Sequence, residues 1–250
     1  MSQNIYDNEK FFNGYKSLRE TDNNYNILLE QPAMKKLLPD LTDKTVLDIG
    51  CGFGINCMDF INAGAEFVTG VDISQNMLAA AKEQNCHKNI EYINMDMKEI
   101  LSLGKKYDFV YSSLAFHYEE NFERLSNDIY TLLNDGGILL FSQEHPICTA
   151  SQGVHQNKLL KLIANNQREY ILQNYSFRGL RKDNWFVKNV EKYHRTFADI
   201  VNALCRAGFK IEEIHEPLPD NEAIRKRAGL KKEFIRPSFL IVKAKKGNAL

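Results

Sequence analysis

The most informative residues in the sequence are three glycines that follow an apolar run, in Val46-Leu47-Asp48-Ile49-Gly50-Cys51-Gly52-Phe53-Gly54. Glycines at alternate positions after a strand allow the backbone to turn sharply and to approach a ligand closely. A helix that begins after such a turn points its N-terminus at the ligand, which suits an anionic group. Asp72 stands 18 residues beyond Gly54, at the end of the next apolar run, where a carboxylate can accept both hydroxyls of a ribose. This spacing predicts a site for a nucleoside-containing cofactor.

Apolar runs that alternate with amphipathic segments predict the elements that position this loop. Strand-like runs occupy residues 45–49, 66–71, 90–93, 107–111, 137–141, 209–214 and 238–242. Between them, apolar residues recur at the three-to-four spacing of helices, as in Phe122, Leu125 and Ile129. Strands and helices that alternate with short connections favour a doubly wound, mostly parallel sheet covered on both faces, so we expect an α/β fold.

The composition limits the class of protein. The chain has 250 residues, of which 44% are hydrophobic and 26% charged, as is typical of one folded domain. Lys plus Arg equals Asp plus Glu at 32 each, so no overall charge attracts nucleic acid or an anionic membrane. The five cysteines include no CxxC pair and the six histidines no i, i+4 pair, so neither a disulfide framework nor a metal site is predicted. We find no signal peptide and no apolar run near the roughly 18 residues of a membrane span, and we expect a soluble cytoplasmic protein.

Four segments make up the single domain predicted for residues 1–250. Residues 44–143 form the cofactor-binding half, and residues 196–250 supply a C-terminal helix and strands. Residues 1–43 carry aromatic side chains, Tyr15 among them, on polar helical stretches, and they form either a helical lid over the cofactor or simple packing. Residues 144–195 follow the fifth strand as an insertion, and a segment of that length in a compact fold is typical of a lid or a substrate-binding element.

The glycine loop fits neither of two common phosphate-binding patterns. The dinucleotide fingerprint GxGxxG fails because Ile55 stands at its third glycine, and the Gly-Lys-Ser/Thr of a Walker-type loop is missing. The pattern that remains is DxGxGxG, from Asp48 to Gly54, and it resembles motif I of the class I S-adenosylmethionine-dependent methyltransferases. Four further stretches resemble motifs of that family in the same order, at residues 70–78, 94–97, 107–118 and 133–139.

This resemblance implies a Rossmann-like methyltransferase fold with seven strands, the last of them antiparallel. It also implies S-adenosylmethionine as cofactor and S-adenosylhomocysteine as its product. In the family pattern, Asp72 holds the ribose, while Ile73 and Met77 flank the adenine. The side chain of Asp96 and the backbone amide of Met97 meet the adenine edge.

The resemblance assigns the remaining cofactor residues to the amino-acid end. Asp48 and the backbone of Gly50, Cys51 and Gly52 contact that end, and Ser113 and Leu114 pass beside the methionine part. Tyr15 joins this set if residues 1–43 form a lid. We therefore expect the cofactor to be bound by Tyr15, Asp48, Gly50, Cys51, Gly52, Asp72, Ile73, Met77, Asp96, Met97, Ser113 and Leu114.

Methyl transfer from a sulfonium is an in-line displacement, in which the protein aligns the nucleophile, the methyl group and the sulfur and excludes water. A general base is needed only where the acceptor carries a proton, as a hydroxyl does. His117, in the fourth motif, and His145, just past the fifth strand, are the candidate bases, because ligands of open α/β sheets bind beyond the carboxyl ends of the strands. Each has a plainer interpretation, in which His117 lines the cofactor pocket and His145 caps a loop.

The acceptor is predicted from what the sequence lacks. No Asn/Asp-Pro-Pro-Tyr/Phe follows the fourth strand, and this motif marks enzymes that methylate amino groups of nucleic acids. We predict transfer to an oxygen or nitrogen atom of a small molecule, by a monomer or homodimer without a membrane partner. Two alternatives stay open. The net charge of +8 over residues 225–246 is compatible with an RNA methyltransferase, and a cofactor-binding regulator without turnover is the other.

Overall fold

The computed structural model describes residues 3–151, 160–162 and 168–247, so residues 152–159 and 163–167 of the predicted insertion lie outside the description. Within these ranges the α-helices are α1 (Glu9–Arg19), α2 (Gln31–Leu37), α3 (Ile55–Asn62), α4 (Gln75–Gln84), α5 (Phe122–Leu132), α6 (Pro146–Thr149), α7 (Phe197–Ala207) and α8 (Asn221–Lys226). The strands are β1 (Thr45–Ile49), β2 (Phe67–Asp72), β3 (Ile90–Asn94), β4 (Tyr107–Ser113), β5 (Leu133–Glu144), β6 (Leu160–Leu162), β7 (Arg168–Tyr170), β8 (Gly179–Trp185), β9 (Val187–His194), β10 (Phe209–His215) and β11 (Phe239–Lys246). No helix in the described part of the chain has the length and apolar character to cross a membrane.

Among the described residues, seven strands form the central sheet, in the order β10-β11-β5-β4-β1-β2-β3. Strands β1 to β5 pair in parallel, and β11 lies antiparallel between β5 and β10. The order reverses between β1 and β4, and open sheets bind ligands at the carboxyl ends of strands beside such a reversal. The doubly wound, mostly parallel α/β fold with seven strands is therefore confirmed, including its antiparallel last strand.

Two strands extend beyond the apolar runs that predict them. β5 begins at Leu133, directly after α5, and continues to Glu144, whereas the run at 137–141 predicts only its middle. β11 continues to Lys246, four residues past the predicted end at Val242. It does so because β10 and β5 hydrogen-bond to its two edges, which satisfies the backbone even where polar side chains replace apolar ones.

The two faces of the sheet build separate apolar cores. Leu47 of β1 belongs to the core under α5 and α7, together with Ile129 and Leu204. Its neighbour Val46 points to the opposite face, where it packs in the same core as Phe60 of α3. Because both faces are covered by helices, a ligand reaches the sheet at the ends of its strands.

The N-terminal segment and the β8–β9 hairpin of the insertion pack against each other. Phe11 of α1 is fully buried and meets the ring of Trp185 edge-on, with centroids 5.3 Å apart. Gly14 permits the close approach, because a Cβ there would lie 2.6 Å from Cδ1 of Phe186. Gln3 adds hydrogen bonds of 2.9 Å to the β9 backbone, both as a donor and as an acceptor. Two segments that are far apart in sequence thus form one structural unit.

Candidate active site

The loop after β1 has the backbone conformation that its glycines predict. Gly50, Gly52 and Gly54 are left-handed, with φ of +77°, +54° and +74°. The amides of Gly50 and Cys51 donate to the carbonyl of Val71 at 2.8 and 3.0 Å, which ties the loop to β2. A Cβ on Gly52 would meet no atom within 4 Å, so this residue borders open space. A ligand can approach the backbone closely at that point.

Asp72 ends β2 beside this loop and holds the backbone with both carboxylate oxygens. Its Oδ2 accepts from the Gly52 amide and its Oδ1 from the Ser74 amide, each at 2.9 Å. Each oxygen keeps a further lone pair for a ligand hydroxyl. Burial raises the pKa of Asp72 to about 6, against the opposing effect of these backbone hydrogen bonds. The carboxyl is therefore mostly ionised, and a strong acceptor, at neutral pH.

The loop and Asp72 border a cavity at the carboxyl ends of β1, β2 and β4. Its wall includes ten of the twelve residues predicted for the cofactor, namely Tyr15, Gly50, Gly52, Asp72, Ile73, Met77, Asp96, Met97, Ser113 and Leu114. The wall also contains residues that sequence reasoning missed, namely Gln3, Ile5, Tyr6, Lys98, Tyr118, Glu119 and Glu191. Of these, Tyr118 directly follows His117 in the fourth motif, so the motif could have identified it. No motif marks residues 3–6.

The side of the cavity predicted for adenine combines an apolar surface with a carboxylate. Met77 is 1% exposed and packs beside Phe53, and its amide donates to the capping Ser74 Oγ at 3.1 Å. Asp96 caps the short helical turn that follows β3, with Oδ1 accepting from the Lys98 amide at 3.1 Å. Because each residue lies at the start of a helix or helical turn, the capping hydrogen bonds there hold Met77 and Asp96 in position. A flat base with an exocyclic amino group suits such a wall, because a carboxylate accepts from amino groups.

Three half-buried tyrosines, which we term the aromatic roof, line the cavity: Tyr6, Tyr15 and Tyr118. Tyr15 stacks on Phe53 at 6.0 Å between centroids and meets Trp185 edge-on at 5.8 Å. The hydroxyls of Tyr6 and Tyr118 lie 3.2 Å apart and share a hydrogen bond. Burial raises the pKa of Tyr118 to about 12 and that of Tyr6 above its usual value, so both hydroxyls stay protonated at neutral pH.

Asp7 anchors the N-terminal segment to the start of α4, a contact that no motif predicts. Its Oδ1 accepts from Ser74 Oγ at 2.6 Å and from the Asn76 amide at 3.1 Å. Its Oδ2 accepts from the Gln75 amide at 3.3 Å and from Asn4 Nδ2 at 2.6 Å. Although burial opposes ionisation, these hydrogen bonds hold the pKa of Asp7 below its usual value. The carboxylate also interacts favourably with the helix dipole.

A second carboxylate, Glu30, organises the wall beside Ser113. Glu30 is fully buried, and its Oε1 accepts from Ser113 Oγ at 2.9 Å and from Ser142 Oγ at 2.5 Å. Its Oε2 accepts from the side-chain amides of Asn26 and Gln31 at 2.7 and 3.0 Å. Burial raises the pKa of Glu30, whereas the two serine hydroxyls favour its ionised form. Four donors thus surround a carboxylate that sequence reasoning did not identify.

Leu114, which follows β4, has left-handed backbone geometry, with φ of +55°. Such geometry costs a non-glycine residue about 1–3 kcal/mol, so its surroundings must hold it. The Leu114 amide lies 3.0 Å from both the carbonyl oxygen and the hydroxyl of Ser142, and it donates to both. Ser142 in turn donates to Glu30, so a buried network shapes this corner of the cavity.

Two of the predicted cofactor residues, Asp48 and Cys51, do not line the cavity. Asp48 is 1% exposed beneath the loop, where Oδ2 accepts from Cys57 Sγ at 3.5 Å and Oδ1 has no hydrogen-bond partner within the described part of the chain. Burial raises the pKa of Asp48 to about 7. Cys51 is buried as well, with its amide turned toward Val71. Their assignment to the amino-acid end of the cofactor stays a prediction.

The two candidate bases, His117 and His145, are also absent from the wall of this cavity. His117 is buried, and its Nδ1 accepts from the Glu144 amide at 3.4 Å. Burial lowers the pKa of His117 to about 4, which makes it a weak base. In His145, Nε2 lies 2.9 Å from Glu216 Oε1, and Nδ1 accepts from the Ile147 amide at the start of α6. The geometry of His145 is therefore that of a helix cap, and the catalytic role of either histidine stays a prediction.

Comparisons with known proteins agree with this site. Residues 46–137 match a family model described as a methyltransferase domain. A Haemophilus influenzae protein, described only as uncharacterized, is 36% identical over 249 residues, which cover 97% of this chain and 96% of that protein. The crystal structure of an S-adenosylmethionine-dependent methyltransferase from Mesorhizobium loti is 34% identical, with a TM-score of 0.79 over 92% of this chain and 100% of that one. A malonyl-[acyl-carrier protein] O-methyltransferase from Enterobacter lignolyticus is 32% identical over 110 residues, or 44% of this chain and 43% of that protein.

The residues of the cavity fit the cofactor of these relatives. Open space at Gly52 admits a ligand against the backbone, and Asp72 has free lone pairs for the hydroxyls of a ribose. Ile73 and Met77 would hold the adenine between apolar surfaces. When bound, the cofactor supplies a methyl group on a positively charged sulfur. The chain belongs to the class I S-adenosylmethionine-dependent methyltransferases, and S-adenosylmethionine is its methyl donor.

Proposed function

We propose that this methyltransferase transfers the methyl group to an oxygen or nitrogen atom of a small molecule. The observation that carries the proposal is the aromatic roof, in which Tyr6, Tyr15 and Tyr118 line the cavity and Tyr6 hydrogen-bonds to Tyr118 across it. A cavity lined in this way by the N-terminal segment would admit a small acceptor beside the cofactor and exclude water from the reacting atoms. A polymer, in contrast, requires an open track along the protein surface. On this basis residues 1–43 act as a lid, and 44–143 as the cofactor-binding half.

We further propose that Arg19 is the counter-charge for the carboxylate of the cofactor. Its guanidinium lies 5.8 Å from the ring centroid of Tyr15, a residue of the roof. Burial raises the pKa of Glu30, and the charge of Arg19 is among the groups that oppose this rise. Arg19 does not line the cavity, but its charge reaches Glu30, which accepts a hydrogen bond from Ser113 on the side where the methionine part of the cofactor is expected.

The titratable groups near the site favour an acceptor atom that needs little help from a base. Burial lowers the pKa of His117 to about 4, and burial raises that of Tyr118 to about 12. Neither group is suited to remove a proton from a hydroxyl at neutral pH. A carboxylate oxygen carries no proton, and an unprotonated amine attacks before it loses one. The partial similarity to an enzyme named as a malonyl-[acyl-carrier protein] O-methyltransferase is consistent with a carboxylate oxygen.

The RNA alternative depended on the basic residues between 225 and 246, and their surroundings make it less favoured. Lys246 Nζ donates to two backbone carbonyls at the α5–β5 junction, at 2.9 and 2.8 Å. Lys226 pairs with Glu222 at 2.9 Å, and Arg236 is only 2% exposed. Binding of RNA depends on cations that can reach phosphates. The engagement or burial of these three side chains supports a small acceptor over RNA.

A methyl-transfer assay tests the proposal. Purified protein and S-adenosylmethionine with a labelled methyl group are incubated separately with the fraction of a bacterial cell extract below 1 kDa, with total RNA, and with malonyl-loaded acyl carrier protein. We expect label in the small-molecule fraction, and about thirtyfold less of it with the Asp72→Asn variant at S-adenosylmethionine concentrations well below both Kd values. Label confined to RNA or to the carrier protein contradicts the small-molecule proposal. Absence of label from every fraction, in protein that binds S-adenosylhomocysteine, does so as well.

A further inference from the structure

Lys192 is a charged residue at a buried position of β9. It shares one face of the strand with Val190 and His194, and only 5% of the residue is exposed. Its neighbours Glu191 and Tyr193 lie on the opposite face and line the cofactor cavity. Lysine is almost never fully buried unless its charge is paired. The inner face of this strand thus carries a charge directly behind the wall of the cavity.

Two carboxylates compensate the charge of Lys192. Its Nζ lies 2.5 Å from Oε1 of Glu144, at the carboxyl end of β5, and 3.8 Å from Oδ2 of Asp183 in β8. Burial opposes both charges of the closer pair, but their attraction raises the pKa of Lys192 and lowers that of Glu144, so both groups are ionised at neutral pH. A buried ion pair is often no more stabilising than apolar residues of similar volume. Stability alone therefore does not account for this pair.

Lys192 contacts the side of the aromatic roof that contains Tyr15. Its Nζ lies over the ring of Trp185, 5.8 Å from the centroid. Trp185 in turn meets the rings of Phe11 and Tyr15 edge-on, at 5.3 and 5.8 Å. The π electrons of an indole attract a cation, and the attraction is strongest where water is excluded. Two contacts thus lead from the buried cation to Tyr15 in the cavity wall.

Glu144 leads to the other side of the roof. Its backbone amide donates to Nδ1 of His117 at 3.4 Å, and the ring centroids of His117 and Tyr118 lie 4.3 Å apart. Nδ1 accepts a hydrogen bond only while it carries no proton. Burial lowers the pKa of His117 to about 4, and the charge of Lys192 adds to this effect. The hydroxyl of Tyr118 completes this path, because it shares a hydrogen bond with Tyr6.

We propose that Lys192, held by Glu144, is a positioning residue for the binding of S-adenosylmethionine. The ion pair supports both sides of the aromatic roof, although neither of its members lines the cavity. The cation holds Trp185 behind Tyr15, and the backbone of β5 holds the turn that contains Tyr118. A wall held in its binding geometry needs less ordering when the ligand enters, which increases affinity. This role is the same for any methyl acceptor.

A double variant separates this role from a contribution to stability. Lys192→Met alone leaves the carboxylate of Glu144 without its main partner, which destabilises the fold. Lys192→Met combined with Glu144→Gln removes both charges at similar volume, so its Tm should stay within about 5 °C of the wild-type value. Its Kd for S-adenosylhomocysteine in calorimetry should nonetheless rise at least about fivefold, because the ring of Trp185 loses its cation. Lys188→Met changes an exposed lysine of the same strand and is the matched control, with the wild-type Kd expected.

The fluorescence of Trp185 shows whether the roof transmits the effect, because the chain has no other tryptophan. Acrylamide should quench this fluorescence more strongly in the double variant than in the wild type or in Lys188→Met, since the ring is held less firmly. Saturation with S-adenosylhomocysteine should reduce the quenching in the wild type, because Tyr15 lies between the cavity and the indole.

A wild-type Kd in the folded double variant overturns the inference, and so does an equal rise of Kd in Lys188→Met. A raised Kd with unchanged quenching overturns it as well, because the loss of affinity then does not pass through the roof. If the double variant does not fold, Trp185→Leu decides, since it removes the ring between Lys192 and Tyr15. Its Kd should rise at least about fivefold, and an unchanged Kd overturns the inference. These measurements involve no methyl acceptor, so their outcome is independent of the proposed function.

Discussion

Asp72→Asn tests the cofactor site most directly. Asparagine keeps the size of the side chain but has one acceptor oxygen where aspartate has two. In the structure each oxygen accepts a backbone N–H at 2.9 Å, Oδ2 from Gly52 and Oδ1 from Ser74. The variant therefore turns an NH2 group toward one of these two donors. It also loses a charged acceptor for the hydroxyls of the ribose.

The expected loss of affinity follows from the hydrogen bond to the ribose. A hydrogen bond to a charged group contributes about 1.5–3 kcal/mol. With about 2 kcal/mol for the one that is lost, the Kd for S-adenosylhomocysteine rises about thirtyfold at pH 7.5. The misplaced NH2 group also disturbs the loop at Gly52, so thirtyfold is the smallest increase in Kd that we expect.

The pH dependence gives the sharper part of this prediction. Burial raises the pKa of Asp72 to about 6. Below that pH the carboxyl must lose a proton before it can accept both ribose hydroxyls, so the wild-type affinity falls about tenfold at pH 5. The variant has no titrating group at this position, so the ratio of the two Kd values falls to about threefold at pH 5.

The stability of the folded protein also depends on the protonation of Asp72. Because the pKa of Asp72 is raised in the folded state, folded protein binds this proton more tightly than unfolded protein does. Its contribution to stability is complete below the ordinary pKa of 3.8 and is lost as the pH rises through about 6. The variant does not undergo this loss. Its Tm relative to that of the wild type should therefore increase between pH 5 and pH 7.5.

Isothermal titration calorimetry with S-adenosylhomocysteine between pH 5 and pH 7.5 measures both Kd values. Asp59→Asn is the matched control, because it changes an exposed carboxylate of α3 that pairs with Lys35 at 3.0 Å, and it should keep the wild-type Kd. An unchanged Kd in folded Asp72→Asn would refute the assignment of this residue to the ribose. So would a ratio of Kd values that is the same at pH 5 and pH 7.5.

Three further substitutions test other parts of the site. Arg19→Met should weaken S-adenosylhomocysteine about fivefold but leave methylthioadenosine, which lacks the amino-acid part, unchanged in calorimetry; equal losses for both ligands would disprove the proposed carboxylate contact. Gly52→Ala, at a φ of +54°, should lower the free energy of unfolding by about 1–2 kcal/mol in urea titrations and raise the cofactor Kd at least about tenfold, because the new methyl group enters the open space of the cavity. His145→Gln should change kcat less than about twofold, because Glu216 and a backbone amide already occupy the ring nitrogens; a loss of about a hundredfold would restore His145 as the base.

The fold and the floor of the site could be predicted from the sequence because their signals are local. The glycine loop and Asp72 belong to one strand–helix–strand unit, so their spacing reports their proximity. Ser74, which caps α4, and Asp96, which caps the turn after β3, lie within two or three residues of the amides that they hold. In each case the chemistry and the secondary structure occupy the same short stretch of chain.

Tyr15 was predicted as part of a lid, but the rest of the roof and its anchors could not be predicted, because their contacts join residues that are distant in sequence. Asp7 reaches Ser74 across 67 positions, and Tyr6 reaches Tyr118 across 112. Nothing in the polar segment before α1 differs from an ordinary solvated terminus. The spacing of a motif also does not show how deeply each side chain is buried. Asp48 belongs to the motif, but it does not reach the cavity wall.

Leu114 shows how such distant contacts determine the shape of the reacting end of the site. A leucine has no preference for left-handed backbone geometry, so its φ of +55° is imposed by Ser142 and, through Ser142, by Glu30. Leu114 borders the cavity and packs against the apolar cluster that contains Phe239. Glu30 itself does not line the cavity. On the proposed function, this wall aligns the acceptor with the methyl group, so a buried carboxylate that does not border the cavity shapes that alignment through Ser142.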